Sequence, residues 1–177
     1  QERREYLMAF SPEDRMEQAA IPQMKIFENV ALNNFKSSNF FNKGLINEKK
    51  IKEHSQKILS DFSVNTNNVE LKSQFLSGGN LQKLIIGREL ITSPELLICF
   101  NPTWGLDVGA INYIHETLIK INEQKKSIIL ISTDTDELLK LCDKICVIFK
   151  GKLSNIMDAE EVTSEKLGIL MGGGEIV

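Results

Sequence analysis

The chain has 177 residues, which is enough for one domain with a sizeable hydrophobic core. Apolar residues make up 42% of the sequence and charged residues 25%, a composition that is typical of globular proteins and excludes a disordered chain. The formal net charge of −3 gives no overall basic field, which disfavours a nucleic-acid-binding protein, and no apolar run approaches the ~18 residues that a membrane-spanning helix needs.

The first third of the chain predicts one strand followed by a helical region. The apolar run at 6–10 precedes the polar turn SPEDR at 11–15, which suits a strand that runs into a turn. From 26 to 62 the apolar spacing is helical, with Asn47 as a possible cap, and SVNTNN at 63–68 predicts a loop. The residues expected on one apolar face are Ile46, Ile51, Ile58, Leu59 and Phe62.

After residue 76, strands and helices alternate. A helix over 81–91 ends before Pro94, and the apolar run at 95–100 is typical of a strand buried on both faces of a parallel sheet. The later expected elements are a helix at 108–122, a buried strand at 127–132, a helix at 136–142, a strand at 144–149 with a hairpin partner at 153–157, and a helix at 164–171 closed by the glycines 172–174. This alternation predicts an α/β fold with a parallel sheet, preceded by a mainly helical insertion.

Cysteine and histidine positions give no metal-binding pattern. Cys99, Cys142 and Cys146 lie in apolar segments without CxxC spacing, so we expect buried, reduced thiols. His54 and His115 lie in helical segments without a paired nucleophile or ligand, so a structural role is expected for both. The sequence therefore predicts no metal site.

The stretch LSGGN at 76–80 is a candidate phosphate site. Ser77 stands at a plausible helix N-cap, and Gly78 and Gly79 carry no side chain that would block close approach to their backbone amides. Unpaired amides and the positive end of the helix dipole both favour an anion. A capped helix start without any ligand is the alternative, and the motif alone leaves both open.

The order of the surrounding stretches gives this motif its context. LSGGNLQK (76–83) is followed by a buried strand, by PTWGLD (102–107) and by a second strand that ends in ISTD (131–134). Together these closely resemble the ATP-binding cassette family of transport ATPases, in which the LSGGQ signature, Walker B strand, D-loop and switch-histidine loop occur in this order. The resemblance implies a partial P-loop NTPase core with a parallel sheet and a helical signature subdomain. The implied parts are a core strand with a Q-loop-like turn at 1–15 and a helical subdomain with the signature at 16–92. They are followed by the rest of the sheet core at 93–157 and a C-terminal helix with a tail at 158–177.

Within that family, SPEDR (11–15), LSGGNLQKLIIGREL (76–90), GLDVGAINYIH (105–115) and LGILMGGG (167–174) are similar to the second cassette of tandem importers for monosaccharides and nucleosides. GLDVGAI with the following YIH favours the nucleoside branch. For the intact protein this implies an import ATPase, peripheral on the cytoplasmic face of the membrane. The implied partners are the other cassette of the same polypeptide, integral permease subunits and, indirectly, an extracellular substrate-binding lipoprotein, without nucleic acid.

The sequence lacks the phosphate-cradling GxxxxGK motif, followed by Ser or Thr, that a cassette needs. Its Gly-Lys pair, Gly151 and Lys152, is followed by Leu153, and Cys146 stands where the first glycine belongs. In the family this loop precedes the strand that the run at 6–10 resembles. We therefore expect the chain to be the C-terminal part of a cassette, with the Walker A part absent.

Four positions depart from the family's catalytic pattern. Phe100 stands where the Walker B aspartate holds magnesium, and Asn101 where the catalytic glutamate polarises water; a phenyl ring offers no oxygen, and an amide has no useful basicity. Thr133 replaces the switch histidine, and Glu13 sits where the magnesium-sensing glutamine usually lies. For each position taken alone, the alternative is sequence drift or a buried packing role. Phe100 would then be a core residue at the end of its strand. Together they indicate a degenerate site.

Two cassettes of this family pair head to tail, so that each ATP lies between the Walker A of one and the signature of the other. The resemblance implies that Ser77, Gly78 and Gly79 serve an ATP held by the partner cassette. Asn80 either adds a contact to that nucleotide or is a solvated helix residue, and Asp107 of the D-loop lies at the shared interface. ATP and magnesium belong to the intact assembly, and we expect this chain alone neither to bind them tightly nor to hydrolyse ATP.

Other functions and roles stay open at this point. A soluble cassette ATPase acting on DNA or ribosomes generally carries coiled coils or basic linkers, and the sequence shows neither heptads nor basic runs. A non-catalytic ABC-like interaction module would keep the fold without the chemistry. Phe35, Phe40 and Phe41 either dock on a membrane subunit or pack on the insertion's own core. Arg15 either closes an ion pair within its turn or lies at an interface.

Overall fold

The computed structural model describes residues 7–33, 40–42 and 45–174. The chain divides into two compact units, Gln1–Ile129 and Leu130–Val177. Among the helices in these described ranges, none is both long enough and apolar enough to cross a membrane. The unit boundary falls inside a strand, whereas the subdomain boundaries expected at residues 15, 92 and 157 stay a prediction.

The elements follow the predicted alternation. The first unit contains β1 (Met8–Ser11), a π-helical turn (Arg15–Ala19), α1 (Ile26–Asn33), β2 (Phe41–Asn42), β3 (Leu45–Ile46), α2 (Glu48–Asp61), a 3-10 turn (Ser73–Phe75), α3 (Gly78–Leu90), β4 (Leu96–Phe100), α4 (Val108–Glu123) and the start of β5 (Ser127–Ile131). The second contains the end of β5, α5 (Thr135–Leu141), β6 (Lys144–Ile145), β7 (Ile148–Phe149), β8 (Lys152–Leu153), β9 (Met157–Asp158), a 3-10 turn (Ala159–Glu161) and α6 (Ser164–Met171).

A three-stranded sheet in the order β1-β4-β5 forms the framework of the first unit. β1 runs parallel to β4, with Met8 opposite Leu96 and Ser11 opposite Cys99, which confirms the parallel pairing expected from the sequence. The carboxyl ends of parallel neighbours meet at one edge of a sheet. The turn after β1 and the loop after β4 therefore lie side by side.

The exposure of two strands differs from the prediction. Leu97 and Cys99 of β4 are buried, but Phe100 at its end is 36% exposed, so Phe100 is not core at the strand end. The expectation that β5 is a buried strand is also wrong, because Ile129 and Ile131 are exposed. β5 is the edge strand of this sheet within the described ranges, and its residues alternate between shielded and exposed positions.

Helix caps and apolar spacing build the helical part of the first unit. Asn47 Oδ1 accepts a hydrogen bond from the Lys50 amide at 3.1 Å and caps α2, as predicted. Ile46 is 60% exposed because it precedes this cap in β3, so its predicted place on the apolar face is wrong. The core between the helices includes Ile26, Val30, Ile58, Leu59, Leu81, Leu84 and Ile85, with Phe62 packed against it.

The helical insertion has a smaller core of its own. Phe40 is buried in a cluster with Phe27 and Ile51, and its ring packs edge-on against His54 at a centroid distance of 5.3 Å. Burial and the neighbouring Lys57 lower the pKa of His54, which favours the neutral ring expected of a structural histidine. The inward-packing alternative is thus confirmed for Phe40. Phe35 and the side chain of Phe41 lie outside the described residues.

Short antiparallel pairs build the second unit. β6 pairs with β9 and β7 with β8, so the single strand predicted at 144–149 is divided because its two halves have different partners. Burial alternates along this stretch: Ile145 and Val147 are buried and Cys146 is exposed. The expectation of buried thiols therefore fails for Cys146, and Cys142 is only partly buried.

Candidate functional site

The LSGGN stretch forms the start of α3, with Ser77 as its N-cap. Ser77 Oγ accepts one hydrogen bond from the backbone amide of Asn80 at 3.3 Å and another from Asn80 Nδ2 at 2.9 Å. Ser77 and Gly78 are exposed, and the amides of Gly78 and Gly79 have no acceptor within the part of the chain that the structure describes. An exposed hydroxyl and two first-turn amides without a helix acceptor thus stand at the positive end of a thirteen-residue helix, which favours an anion.

Gly79 has a packing role that the sequence did not indicate. Unlike Gly78, it is buried, and a Cβ added to it would lie 2.7 Å from the Cβ of Ala110. At Gly78 the same added atom would meet Leu106 Cδ2 at 3.4 Å, an ordinary contact. Glycine at 79 therefore allows the starts of α3 and α4 to approach closely.

Asp107 is brought next to the signature by this close approach. Its Oδ1 accepts a hydrogen bond from the Ala110 amide at 2.9 Å and caps α4, and its Oδ2 lies 3.8 Å from the Cβ position of Gly79. Asp107 is exposed, as are the adjacent Trp104 at 65% and Val108 at 73%. The two predicted stretches, LSGGN and PTWGLD, thus lie side by side, with Ser77, Gly78, Trp104 and Asp107 exposed on one surface. The interface role of Asp107 stays a prediction.

Arg15 connects this surface to the turn after β1. Its Nε donates to Gln82 Oε1 at 2.9 Å, and one terminal nitrogen donates to the Trp104 carbonyl at 2.5 Å. Gln82 Nε2 in turn donates to Ser11 Oγ at 3.2 Å. Burial of the guanidinium lowers the pKa of Arg15, although Asp14 and Glu13 oppose the shift. Arg15 therefore joins three segments, and the ion-paired turn does not describe its main contacts.

Three of the four positions that depart from the catalytic pattern, Glu13, Phe100 and Asn101, lie at the carboxyl edge of β1 and β4. Asn101 is 6% exposed, and its Nδ2 donates to Glu13 Oε1 at 2.9 Å. Its backbone is in the left-handed region, with a φ of 42°, which asparagine tolerates better than most residues. Phe100 supplies no oxygen here, so the acid partners of a nucleotide-bound magnesium ion are replaced by a ring and an amide. These residues do not fit a magnesium site.

Thr133 belongs to the second unit, whereas the other candidate residues belong to the first. It is exposed between β5 and α5, next to Asp134, which caps α5 by accepting hydrogen bonds from the amides of Asp136 and Glu137. His115 is buried within α4, in keeping with the structural role expected for it. In the described residues, no group of three or more His, Cys, Asp and Glu side chains is placed to hold a metal ion.

Relatives of the chain are ATP-binding proteins of importers. It is 40% identical to the nucleoside import ATP-binding protein NupA of Lactococcus lactis over 93% of this chain and 33% of the relative. It is 35% identical to the guanosine import ATP-binding protein NupO of Bacillus subtilis over 92% of this chain and 32% of the relative. A ribose import ATP-binding protein of Oceanobacillus iheyensis is 37% identical over 94% of this chain and 33% of the relative. The chain thus spans about one third of the length of the curated relatives it matches.

The fold has known counterparts as well. A dimeric ATP-binding cassette in a post-hydrolysis state, bound to ADP and Pi, superposes with a TM-score of 0.69 over 86% of this chain and 62% of that chain, at 23% identity. The ADP conformation of a cassette of an ABC transporter gives the same TM-score over 97% and 66%, at 20% identity. No family model matches the sequence. The chain therefore has the fold of an ATP-binding cassette and is homologous, over more than nine-tenths of its length, to the ATP-binding proteins of nucleoside and sugar importers.

Proposed function

We propose that the chain is the signature-bearing, C-terminal part of the second, degenerate cassette of a tandem importer. Its signature would act in trans on an ATP that the other cassette of the same polypeptide holds. The observation that carries this proposal is a contrast between two sites. The start of α3 presents an exposed hydroxyl and two amides that have no acceptor among the described residues, whereas the end of β4 presents Phe100 and Asn101 where carboxylates are needed.

The start of α3 has the chemistry to stabilise a transferring phosphoryl group. During phosphoryl transfer, negative charge is spread over the equatorial oxygens, and fixed donors that face those oxygens lower the barrier. Ser77 offers its hydroxyl, and Gly78 and Gly79 offer amides whose positions are fixed by the helix. None of these groups has to exchange a proton, so the signature can serve a nucleotide without any acid of its own.

The end of β4, by contrast, cannot activate water. A carboxamide is not a general base, and Asn101 already donates to Glu13. ATP with its magnesium supplies the phosphoryl group when bound between the two cassettes, and the residues of this chain bind and orient that group from one side. One competent site and one degenerate site follow for the assembly, so hydrolysis would depend on Ser77 and not on Asn101.

The relatives bear on the substrate and the partners. NupA and NupO are import proteins for nucleosides and guanosine, which supports the nucleoside branch, and the similarity to a ribose import protein keeps a simple sugar as the other candidate. We propose integral permease subunits as partners, an extracellular substrate-binding lipoprotein as an indirect partner, and a peripheral location on the cytoplasmic face of the membrane. Copurification of the polypeptide with an integral membrane subunit separates this function from a soluble cassette ATPase or an interaction module.

The test compares Ser77→Ala with Asn101→Ala in the full-length polypeptide, purified with its membrane partner. Loss of one fixed transition-state donor lowers kcat by about 10² to 10³ in comparable sites, so Ser77→Ala should lower ATP turnover by that order. Asn101→Ala should leave turnover within about twofold, since its carboxamide takes no part in the chemistry. Thermal melting of both variants controls for misfolding. Equal losses of turnover in the two folded variants would contradict a single competent site.

A further inference from the structure

Both ends of the Asn80 side chain are engaged at the start of α3. Its Nδ2 donates to Ser77 Oγ at 2.9 Å, and its Oδ1 accepts a hydrogen bond from the backbone amide of Asn65 at 2.8 Å. Because a backbone N–H can only donate, the oxygen of the carboxamide must face Asn65 and the nitrogen must face Ser77. The orientation of Asn80 is therefore fixed by a loop residue that lies outside the helix.

This arrangement determines what the Ser77 hydroxyl can do. A serine oxygen accepts two hydrogen bonds and donates one. Asn80 fills both acceptor positions, one through its backbone amide at 3.3 Å and one through its side chain. The remaining hydrogen of Ser77 is therefore directed away from Asn80, and Ser77 is exposed. The hydroxyl is left as a donor toward the surface.

We propose that Asn80 is a positioning residue, which orients the Ser77 hydroxyl toward the γ-phosphate of an ATP held in trans. This inference rests on the proposed function, and it gives Asn80 an indirect role in place of a direct nucleotide contact. It also links the loop at 63–68 to the signature, because Asn65 holds the carboxamide in the required orientation.

A double-mutant cycle tests whether Asn80 acts through Ser77. ATP turnover of the full-length polypeptide with its membrane partner is measured for the unchanged protein, for the single variants Ser77→Ala and Asn80→Ala, and for the double variant. Loss of one hydrogen bond that orients a donor corresponds to a fall in kcat of about three- to tenfold for Asn80→Ala. In the Ser77→Ala background the same change should have almost no effect. The KM for ATP should stay within about twofold, because the partner cassette binds the nucleotide.

Asn80→Asp is the matched second variant. It keeps the acceptor for the Asn65 amide and the shape of the side chain, but it replaces the donor that faces Ser77 with a hydrogen-bond acceptor. The Ser77 hydroxyl should then turn inward, and kcat should fall at least as far as with Asn80→Ala. Melting temperatures of all variants exclude a general loss of folding. Because aspartate also adds a negative charge beside the anion site, Asn80→Asp is measured in the native and the Ser77→Ala backgrounds. Only a fall in kcat that disappears in the Ser77→Ala background supports the inference if Asn80→Ala does not fold.

The outcomes separate the inference from the proposed function. If Ser77→Ala leaves turnover unchanged, the proposed function fails and the inference fails with it. If Ser77→Ala lowers turnover and Asn80→Ala lowers it by the same factor in both backgrounds, Asn80 contacts the nucleotide directly and only the inference is overturned. An unchanged kcat in folded Asn80→Ala also overturns it. The inference is supported if Asn80→Ala lowers kcat when Ser77 is present and leaves kcat unchanged in the Ser77→Ala variant.

Discussion

Replacing Gly79 with alanine should destabilise the chain, whereas the same change at Gly78 should not. An alanine Cβ at 79 would lie 2.7 Å from the Cβ of Ala110, while carbon atoms pack best at about 3.5 to 4.0 Å. The starts of α3 and α4 would have to separate by about 1 Å. Overpacking of this kind costs about 1 to 3 kcal/mol, and alanine regains at most about 1 kcal/mol of helix propensity. With the full propensity gain, we therefore expect Gly79→Ala to lower the free energy of unfolding by up to about 2 kcal/mol.

Urea unfolding of the chain, followed by circular dichroism, measures this loss as a lower midpoint at an unchanged m-value. Gly78→Ala is the matched control, since its added Cβ meets Leu106 Cδ2 at 3.4 Å and the position is exposed; alanine has the same propensity gain there without the clash, so the free energy of unfolding should not fall. Ala110→Gly removes the atom that would clash. The double variant Gly79→Ala with Ala110→Gly should therefore be more stable than the sum of the single changes predicts. Equal midpoints for the variants at 78 and 79, or strict additivity in the double variant, would refute the packing argument.

Two further predictions concern the surface of each unit. Lys25 and Lys52 contact the carboxylate of Glu70 and hold the pKa of Glu70 below its ordinary value of 4.5. A lowered pKa in the folded state contributes stability above the unfolded value, and this contribution is lost as the pH falls through the folded pKa. Glu70→Gln should therefore reduce the loss of stability between pH 7 and acidic pH in urea titrations, and an unchanged pH slope would count against the contact. Native labelling read by mass spectrometry should modify Cys146 well before the buried Cys99; labelling at equal rates would contradict their different exposure.

Local chemistry made much of the fold predictable from the sequence. Caps act over three or four residues, so Asn47 and Ser77 could be identified as helix starts from their position before an apolar helical pattern. The apolar run that became β4 was recognisable because a strand between other elements is rich in large apolar residues. Ile46 and Cys146 were misplaced for a related reason. A shift of one residue along the chain moves a side chain to the other face of a strand or to the other side of a helix cap. Apolar character alone does not determine that position.

Contacts between distant segments could not be read from the sequence. Arg15 forms hydrogen bonds to Gln82 and to the Trp104 carbonyl, which lie 67 and 89 positions further along the chain. The sequence pattern indicated only the acidic neighbours within its own turn. The clash that makes glycine necessary at 79 comes from Ala110, a residue with no chemical signal of its own. The same limit applies to the loop amide that fixes Asn80, since the donor is backbone and is independent of residue type. Such features depend on how the elements pack, which the one-dimensional pattern does not contain.

The amide at 101 and the carboxylate at 13 form a matched pair, and this bears on how an amide is accommodated at the end of β4. Asn101 is buried and donates to Glu13, so the pair satisfies a polar group at the carboxyl edge of the sheet without a second charge. A glutamate at 101 would remove that donor and face Glu13 with another carboxylate, and one of the two would have to bind a proton to relieve the repulsion. A glutamate at 101 alone would therefore place two carboxylates against each other at the edge of the sheet. The hydrogen bond thus gives the buried amide a charged acceptor, and a neutral change such as Asn101→Ala leaves Glu13 without a facing carboxylate.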